Sequence, residues 1–223
     1  MDNKRTITVK GVGKAKIKVD YIIISIDIRN QNKEYEKTME IASNKLNSIT
    51  NSIIETGIEK EEIKTSKYEV KPIYESIRDK NGDYRDEFIG YQCTHILKLS
   101  FDFNMNTLNK ILLAISKSEA TPKINISFTV KDQSKISDEI LELACMDAKR
   151  KADILCKASG YSLGSLLKIE YNWGEVYLES ATRYDDLSPF SLRQKRWFYD
   201  EEDNIEPEDI DVSDNAVFIW EIN

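Results

Sequence analysis

The chain has 223 residues, of which 40% are hydrophobic and 32% charged, and its net charge at pH 7 is −7. No apolar run in it approaches the roughly 20 residues of a membrane span, and it lacks the basic stripe that marks nucleic-acid-binding proteins. We therefore expect a globular protein with no membrane span and no nucleic-acid partner.

The start of the chain predicts two strands. Ile7 and Val9 alternate with polar residues, Gly11 and Gly13 bend the chain, and lysines then alternate with apolar residues up to Val19. Lysines on a strand commonly protect a sheet edge from pairing with other molecules. The next strand carries isoleucines on one face, at Ile22, Ile24, Ile26 and Ile28.

The middle of the chain predicts a helix and then a long β-hairpin. Apolar residues at spacings of three and four run from Tyr35 to Ile53, and Gly57 ends this helix. Asn81-Gly82 is a strong hairpin-turn signal because a type I′ turn needs positive φ at both central residues. It joins a strand over 63–74 to one over 88–103. One face of the latter carries Ile89, Tyr91, Cys93, His95, Leu97, Leu99 and Phe101.

A helix over 108–115, a strand over 124–130 and a helix over 134–159 follow. One stripe of the last helix consists of Leu141, Ala144, Ala148, Ala152, Leu155 and Ser159. Because most of these side chains are small, the helix can lie close on a sheet. We expect Ser134 or Ser137 to cap its start and Gly160 its end, before another strand begins at residue 163.

Residues 175–215 show no sustained strand or helix period. They contain 13 acidic and four basic residues, a net charge of −9, which leaves +2 for the rest of the chain. Their aromatic residues are too dense for plain disorder: Tyr177, Tyr184, Phe190, Trp197, Phe198 and Tyr199. We expect an acidic, aromatic-containing insertion that lies on its own domain or on a neighbouring subunit. Replacing Glu179–Ser213 by a short linker should then leave the fold intact but weaken the oligomer or change its size. The alternative is a flexible tether, whose replacement would leave the assembly unchanged.

The final strand is predicted over 216–222, so the element order is ββαββαβαββ. Three helices and about seven strands favour an α+β fold, with the helices packed on a mainly antiparallel sheet. We expect a single domain over 1–223.

Several short motifs resemble the SIMPL domain family. They are the alanines at 144, 148 and 152 followed by Gly160 and Gly164, then Gly11, Gly13 and Asp20, Gly57-Ile58, Glu62-Ile63-Lys64-Thr65, Pro72-Ile73-Tyr74 and Gly90-Tyr91. Val19 stands where the family usually has proline. The resemblance covers Ile7–Tyr171 and the final strand. It implies a bacterial protein, related to periplasmic immunogenic and oxidative-stress defence proteins, whose molecular activity is poorly defined.

One motif suggests a hydrolase. Gly160-Tyr161-Ser162-Leu163-Gly164 matches G-x-S-x-G, but that nucleophile elbow has a strand before the serine and a helix after it. Here the predicted order is reversed, and the sole histidine, His95, precedes the serine. We therefore interpret Ser162 as part of a helix-ending turn and predict no catalytic residue.

His95 and the three cysteines are the other reactive side chains. His95 lies in an apolar alternation, which favours a hydrogen-bonded core or interface histidine over a general base. Cys93, Cys145 and Cys156 lack the C-x₂-C pairing of a zinc site, and the last two stand about 16 Å apart on one helix, beyond the reach of a disulfide. We expect free, buried thiols, which favour a reducing compartment.

No cofactor or metal site is predicted. The acidic run Asp200–Asp203 lacks the spaced ligands and the glycine of an EF-hand loop. Residues 1–5 lack a signal-peptide pattern, so, together with the thiols, they predict a cytoplasmic protein, with a removed export signal as the alternative.

These observations favour a non-enzymatic module that forms a homo-oligomer or binds another protein, with residues 175–215 as a contact surface. A stress-related role is implied by the resemblance alone. Two alternatives stay open. One is an enzyme or small-molecule-binding protein with a pocket near His95 and Tyr91, and the other is a thiol-based stress sensor at Cys93 or Cys156.

Overall fold

A computed structural model describes residues 5–78, 83–118, 120–171, 176–194 and 206–223. Within them lie eight strands and four α-helices: β1 (Thr6–Ile17), β2 (Tyr21–Asn32), α1 (Tyr35–Ile54), β3 (Lys64–Arg78), β4 (Tyr84–Asp102), α2 (Met105–Lys117), β5 (Lys123–Thr129), α3 (Gln133–Ala158), β6 (Leu163–Tyr171), β7 (Glu179–Leu187), α4 (Pro189–Gln194) and β8 (Ile210–Ile222). The predicted α+β class is confirmed. The predicted order lacks β7 and α4.

The chain divides into two compact units, where a single sheet was expected. The first unit comprises residues 1–20, 129–181 and 207–223, and the second comprises 21–128 and 182–206. The strand order is β1-β8-β6 in a three-stranded sheet and β3-β4-β2-β5-β7 in a five-stranded one. The pairs β1–β8, β6–β8, β2–β4 and β3–β4 are antiparallel.

In the first unit, α3 packs on β1 and β8 at a very close distance. A Cβ atom built on Gly11 would lie 2.0 Å from the Ala144 carbonyl oxygen, and one on Gly13 would lie 1.9 Å from that of Ile140. Only glycine fits where a helix backbone lies this close to a strand. The core between the helix and the sheet consists of Val9, Ala148, Ala152, Ala216, Phe218 and Trp220.

The buried stripe of α3 differs from the predicted one at both ends. The buried residues follow a spacing of four throughout: Ile140, Ala144, Ala148, Ala152 and Cys156. Leu155 is 49% exposed. The predicted serine cap is also wrong, because the Asp132 carboxylate accepts the Lys135 N–H at 3.0 Å. Gly160 ends the helix with a φ of +78°, as expected.

Asp147 connects α3 to β1 through hydrogen bonds on the helix flank. Its carboxylate accepts the Val12 N–H at 3.0 Å and lies 2.6 Å from Lys151 Nζ. The Lys151 ammonium also donates to the Lys10 carbonyl at 3.3 Å. The Lys151 and Val12 hydrogen bonds hold the pKa of Asp147 well below its ordinary value.

The small side chains of α3 predict that substitutions at two neighbouring positions have different effects on the free energy of unfolding. Ala148→Leu should lower the free energy of unfolding by roughly 1–3 kcal/mol, because Ala148 is fully buried against the sheet. Lys149→Leu should be nearly neutral, since Lys149 is exposed. Urea denaturation of both variants measures the difference. Equal losses would show that the helix face is assigned incorrectly.

The second unit is organised around β2, in which the four isoleucines predicted to share one face, at 22, 24, 26 and 28, are all buried. The predicted helices over 35–53 and 108–115 are confirmed as α1 and α2, although Tyr35 at the start of α1 is 50% exposed. Asn104 caps α2 by accepting the Thr107 N–H at 3.0 Å. α4 packs against α2.

Parts of residues 175–215 are built into both units. β7 belongs to the five-stranded sheet, and Leu187 and Leu192 are buried. β8 begins at Ile210, six residues before the predicted start, and both Ile210 and Val212 are buried in the first unit. The aromatic residues Trp197, Phe198 and Tyr199, the acidic run Asp200–Asp203 and the Asn81-Gly82 turn lie outside the described residues.

Candidate functional site

The β3–β4 hairpin is longer than the strand beside it. β2 ends at Asn32, which is opposite Tyr91 of β4. Beyond this point Ile73–Arg78 pairs with Tyr84–Gly90, and in the described chain this part pairs with no third strand. We call these two segments the β3–β4 arm. All its described residues are at least partly exposed except Gly90.

A row of four aromatic rings runs from the arm to the start of α1. Tyr74 and Phe88 are directly opposite each other, with ring centroids 5.8 Å apart. Phe88 is 5.3 Å from Tyr91, and Tyr91 is 5.4 Å from Tyr35. All three contacts are edge-to-face, the arrangement that the ring quadrupole favours. We call Tyr35, Tyr74, Phe88 and Tyr91 the aromatic row.

Gly90 positions the base of the arm. Its φ is +143°, and a Cβ there would lie 2.4 Å from the Asn32 carbonyl oxygen. A register shift between Ile73 and Tyr74 occurs at the same level of the hairpin. Gly90 therefore allows β4 to pass the end of β2 closely and continue as the arm. The Gly90-Tyr91 motif in the sequence is thus a structural requirement of this crossing.

His95 lies in the interior of the second unit, among β3, β4 and α1 side chains. It is 7% exposed, and its Nε2 is 2.9 Å from the Thr65 hydroxyl. The Tyr68 ring is in edge contact with it at 5.2 Å, and the Tyr68 hydroxyl donates to Met39 Sδ at 3.5 Å. Burial lowers the pKa of His95, which favours the neutral imidazole. This is the environment of a hydrogen-bonded core histidine.

Cys93 is fully buried beside this histidine. Burial raises the pKa of its thiol, although a hydrogen bond with Tyr68 opposes the shift. A thiol with a raised pKa carries less of the thiolate that reacts with oxidants. Cys156 is 3% exposed, whereas Cys145 is exposed, contrary to the expectation that all three thiols are buried. The geometry gives no support to a thiol sensor at Cys93.

Ser162 lies in the turn between α3 and β6, in the first unit. It exchanges two backbone hydrogen bonds with Asn223, and its hydroxyl donates to the Asn223 carbonyl at 3.3 Å. The hydroxyl proton is therefore directed to a backbone oxygen and not to a base. A helix precedes the serine and a strand follows it, as the sequence predicts and unlike a nucleophile elbow.

Among the open depressions on the described surface are two whose lining includes neither His95 nor Tyr91. One of about 510 Å³ is lined in part by Lys14, Lys16 and Asp211, and one of about 600 Å³ by Glu55, Lys110 and Lys117. Neither has the enclosed apolar walls typical of a small-molecule site. Among the described residues, no group of three or more His, Cys, Asp or Glu side chains is arranged to hold a metal ion.

Comparison with known protein families shows which family the chain belongs to. The profile of SIMPL, described as a protein of unknown function (DUF541), matches residues 7–219. The chain belongs to the SIMPL family. The match includes residues 175–215, which the motif resemblance did not cover.

The 26 kDa periplasmic immunogenic protein of Brucella abortus (strain S19) is a related SIMPL protein. It is 23% identical to this chain over 163 residues, which is 73% of this chain and 65% of the relative. The chain therefore spans just under two thirds of the relative's length.

The periplasmic relative contradicts the prediction of a cytoplasmic protein. That prediction relied on residues 1–5 and on three thiols. Cys145 and Cys156 stand too far apart along one helix to pair, so their free state indicates no particular compartment. Of the described helices, none combines the length and apolar character needed to cross a membrane.

The aromatic row is the feature that the sequence analysis missed. Tyr74 and Phe88 were assigned to ordinary strands, and Tyr35 to a helix core. A partial signal was present, because a regular two-residue turn at Asn81-Gly82 sets Phe88 opposite Glu75, one residue from Tyr74, and so places both rings in the same segment of the hairpin. What the sequence does not show is that β2 ends before reaching them.

Proposed function

We propose that this SIMPL protein is a non-enzymatic module that works by assembling with copies of itself, and that the β3–β4 arm is the contact. The observation that carries the proposal is the aromatic row on a two-stranded arm. Tyr74 is 59% exposed and Phe88 is 45% exposed. Aromatic residues are enriched in protein interfaces and supply much of the binding energy there.

The arm itself argues for a macromolecular contact. An isolated two-stranded hairpin is marginally stable in water, and a third strand or a packed surface is normally needed. The face opposite Tyr74 and Phe88 adds a repulsion, because Glu75 is directly opposite Glu87. Burying the aromatic face against another subunit would stabilise this arm, whereas a small ligand would cover little of it.

The two faces of the arm provide a test with a matched control. Light scattering and native mass spectrometry at micromolar concentration should show the wild-type protein as a species larger than 25.8 kDa. The double variant Tyr74→Ser/Phe88→Ser should dissociate at least tenfold more readily, with unchanged circular dichroism. The control Glu75→Ser/Glu87→Ser changes the opposite face and should assemble like the wild type.

Either of two results would contradict this proposal. A wild-type protein that stays monomeric over a hundredfold concentration range would refute self-assembly. A Tyr74→Ser/Phe88→Ser variant that assembles like the wild type would show that the arm is not the contact.

Residues 175–215 are a second proposed contact surface. In their described part, Tyr177 is 78% exposed and Phe190 is 70% exposed. These two rings are large apolar groups outside the core, of the kind that a protein partner covers. We also propose a periplasmic location, supported by the name of the Brucella relative. A stress-related role is supported only by the family resemblance.

A further inference from the structure

We propose that β6 of the first unit pairs antiparallel with β6 of a second copy, around a two-fold axis at Ile169. This inference rests on the proposed self-assembly and assigns it a second, separate contact. It would join two three-stranded sheets into one continuous sheet of six strands.

β6 is a sheet edge whose one lysine, Lys168, is paired with Glu170 of the same strand. Within the described chain, β8 is the only strand that pairs with it. Three of its apolar residues are exposed: Leu166 by 47%, Leu167 by 45% and Ile169 by 53%. The opposite edge strand, β1, carries exposed Lys10, Lys14 and Lys16. Exposed apolar edges template pairing with another chain, whereas edge lysines discourage it.

The hydrogen-bond pattern of β8 shows which β6 residues are directed outward. Ile222 donates its N–H to Arg5, toward β1, whereas Asn223 exchanges both of its bonds with Ser162, on the β6 side. Because alternate residues of a strand bond to opposite sides, Ile219 is directed to β6. Its partner Lys168 therefore bonds to β8. The next residue, Ile169, directs its N–H and C=O to the open edge.

Symmetry and charge then select one register among axes at the three consecutive residues Lys168, Ile169 and Glu170. In a two-fold antiparallel pair the axis passes at a residue opposite its own copy. An axis at Lys168 would set two lysines opposite each other, and one at Glu170 would set two glutamates opposite each other. An axis at Ile169 sets Lys168 opposite Glu170 of the second copy, twice. Opposite charges directly across a strand pair are favourable, and like charges are not.

The same register also pairs the outward backbone groups of β6 and brings its charged side chains together. Ile169 exchanges its outward N–H and C=O with Ile169 of the second copy. Lys168 Nζ already lies 2.6 Å from the Glu170 carboxylate within one strand, and both side chains are more than half exposed. Pairing would produce four alternating charges on one face of the new sheet. On the other face, Ile169 meets its own copy and loses its exposure to water.

Charge exchange tests this register directly. Lys168→Glu and Glu170→Lys, each alone, should weaken self-association at least about tenfold, because each places four like charges at the junction. An equimolar mixture of the two variants should form a heterodimer with wild-type strength. The double variant Lys168→Glu/Glu170→Lys should also self-associate. Lys14→Glu, an equal charge change on the other edge strand, should have no effect.

The experiment is run by native mass spectrometry in the wild-type and in the Tyr74→Ser/Phe88→Ser background. In the second background the loss of arm contacts isolates the β6 contact. Charge variants that associate like the wild type, or a mixture that fails to form heterodimers, would overturn the inference and leave the arm proposal standing. Arm variants that assemble unchanged, with charge variants that dissociate, would overturn the arm and leave β6 standing.

Discussion

Gly13→Ala is expected to destabilise the first unit by about 3 kcal/mol or more, at the upper end of the range for overpacked cores. The added Cβ would lie 1.9 Å from the Ile140 carbonyl oxygen and 2.9 Å from the Ala144 nitrogen. Both atoms belong to the backbone of α3, so no side chain can rotate away to make room. The helix as a whole would have to move off the sheet.

The position next to Gly13 supplies the control for this variant. Lys14 is exposed on the opposite face of β1, and Lys14→Ala should change the free energy of unfolding by less than about 0.5 kcal/mol. Gly11→Ala should behave like Gly13→Ala, since its Cβ would lie 2.0 Å from the Ala144 carbonyl oxygen. Urea unfolding followed by circular dichroism measures all three. Wild-type stability of Gly13→Ala would mean that α3 lies farther from β1 than described.

Replacing Glu179–Ser213 by a Gly/Ser linker is expected to abolish cooperative folding. The sequence alone predicted an intact fold, but the exchange removes β7 from the five-stranded sheet and buried Leu187 and Leu192. It also removes buried Ile210 and Val212, which are opposite Ile17 and Ala15 of β1. Circular dichroism and thermal unfolding should show no native-like transition.

A smaller exchange controls for the linker itself. Replacing only residues 195–205 by Gly/Ser residues leaves every described strand and helix in place. This variant should keep a cooperative transition. If the Glu179–Ser213 replacement also kept a cooperative unfolding transition, neither β7 nor the first part of β8 would be needed for the fold.

Elements with a strong period were predictable from the sequence. Isoleucine occupies every second position of β2 from Ile22 to Ile28, and the apolar residues of α2 follow a helical spacing. In both cases one face of the element is buried, so apolar residues recur along the sequence with the period of that strand or helix. The same reasoning assigned His95, which lies within an apolar alternation, to a hydrogen-bonded position in the core or at an interface.

β7 and the start of β8 could not be predicted in this way. β7 reads E-S-A-T-R-Y-D-D-L, and four of its nine residues are charged. Its place in the sheet depends on β5, which lies some 60 residues earlier, and a local pattern carries no information about such a partner. Likewise, Asp211, Ser213 and Asp214 weaken the apolar signal of β8 although Ile210 and Val212 are buried.

The sequence by itself determined the α+β class, the family motifs and the faces of β2 and α2, because local periodicity reflects burial. Only the tertiary structure decided where strands end relative to their neighbours. β2 stops at Asn32 while β4 continues, and β6 has β8 on one side only within the described residues. Exposure of Phe88 and Ile169 follows from those endings, since an apolar side chain stays in water wherever no neighbouring element covers it.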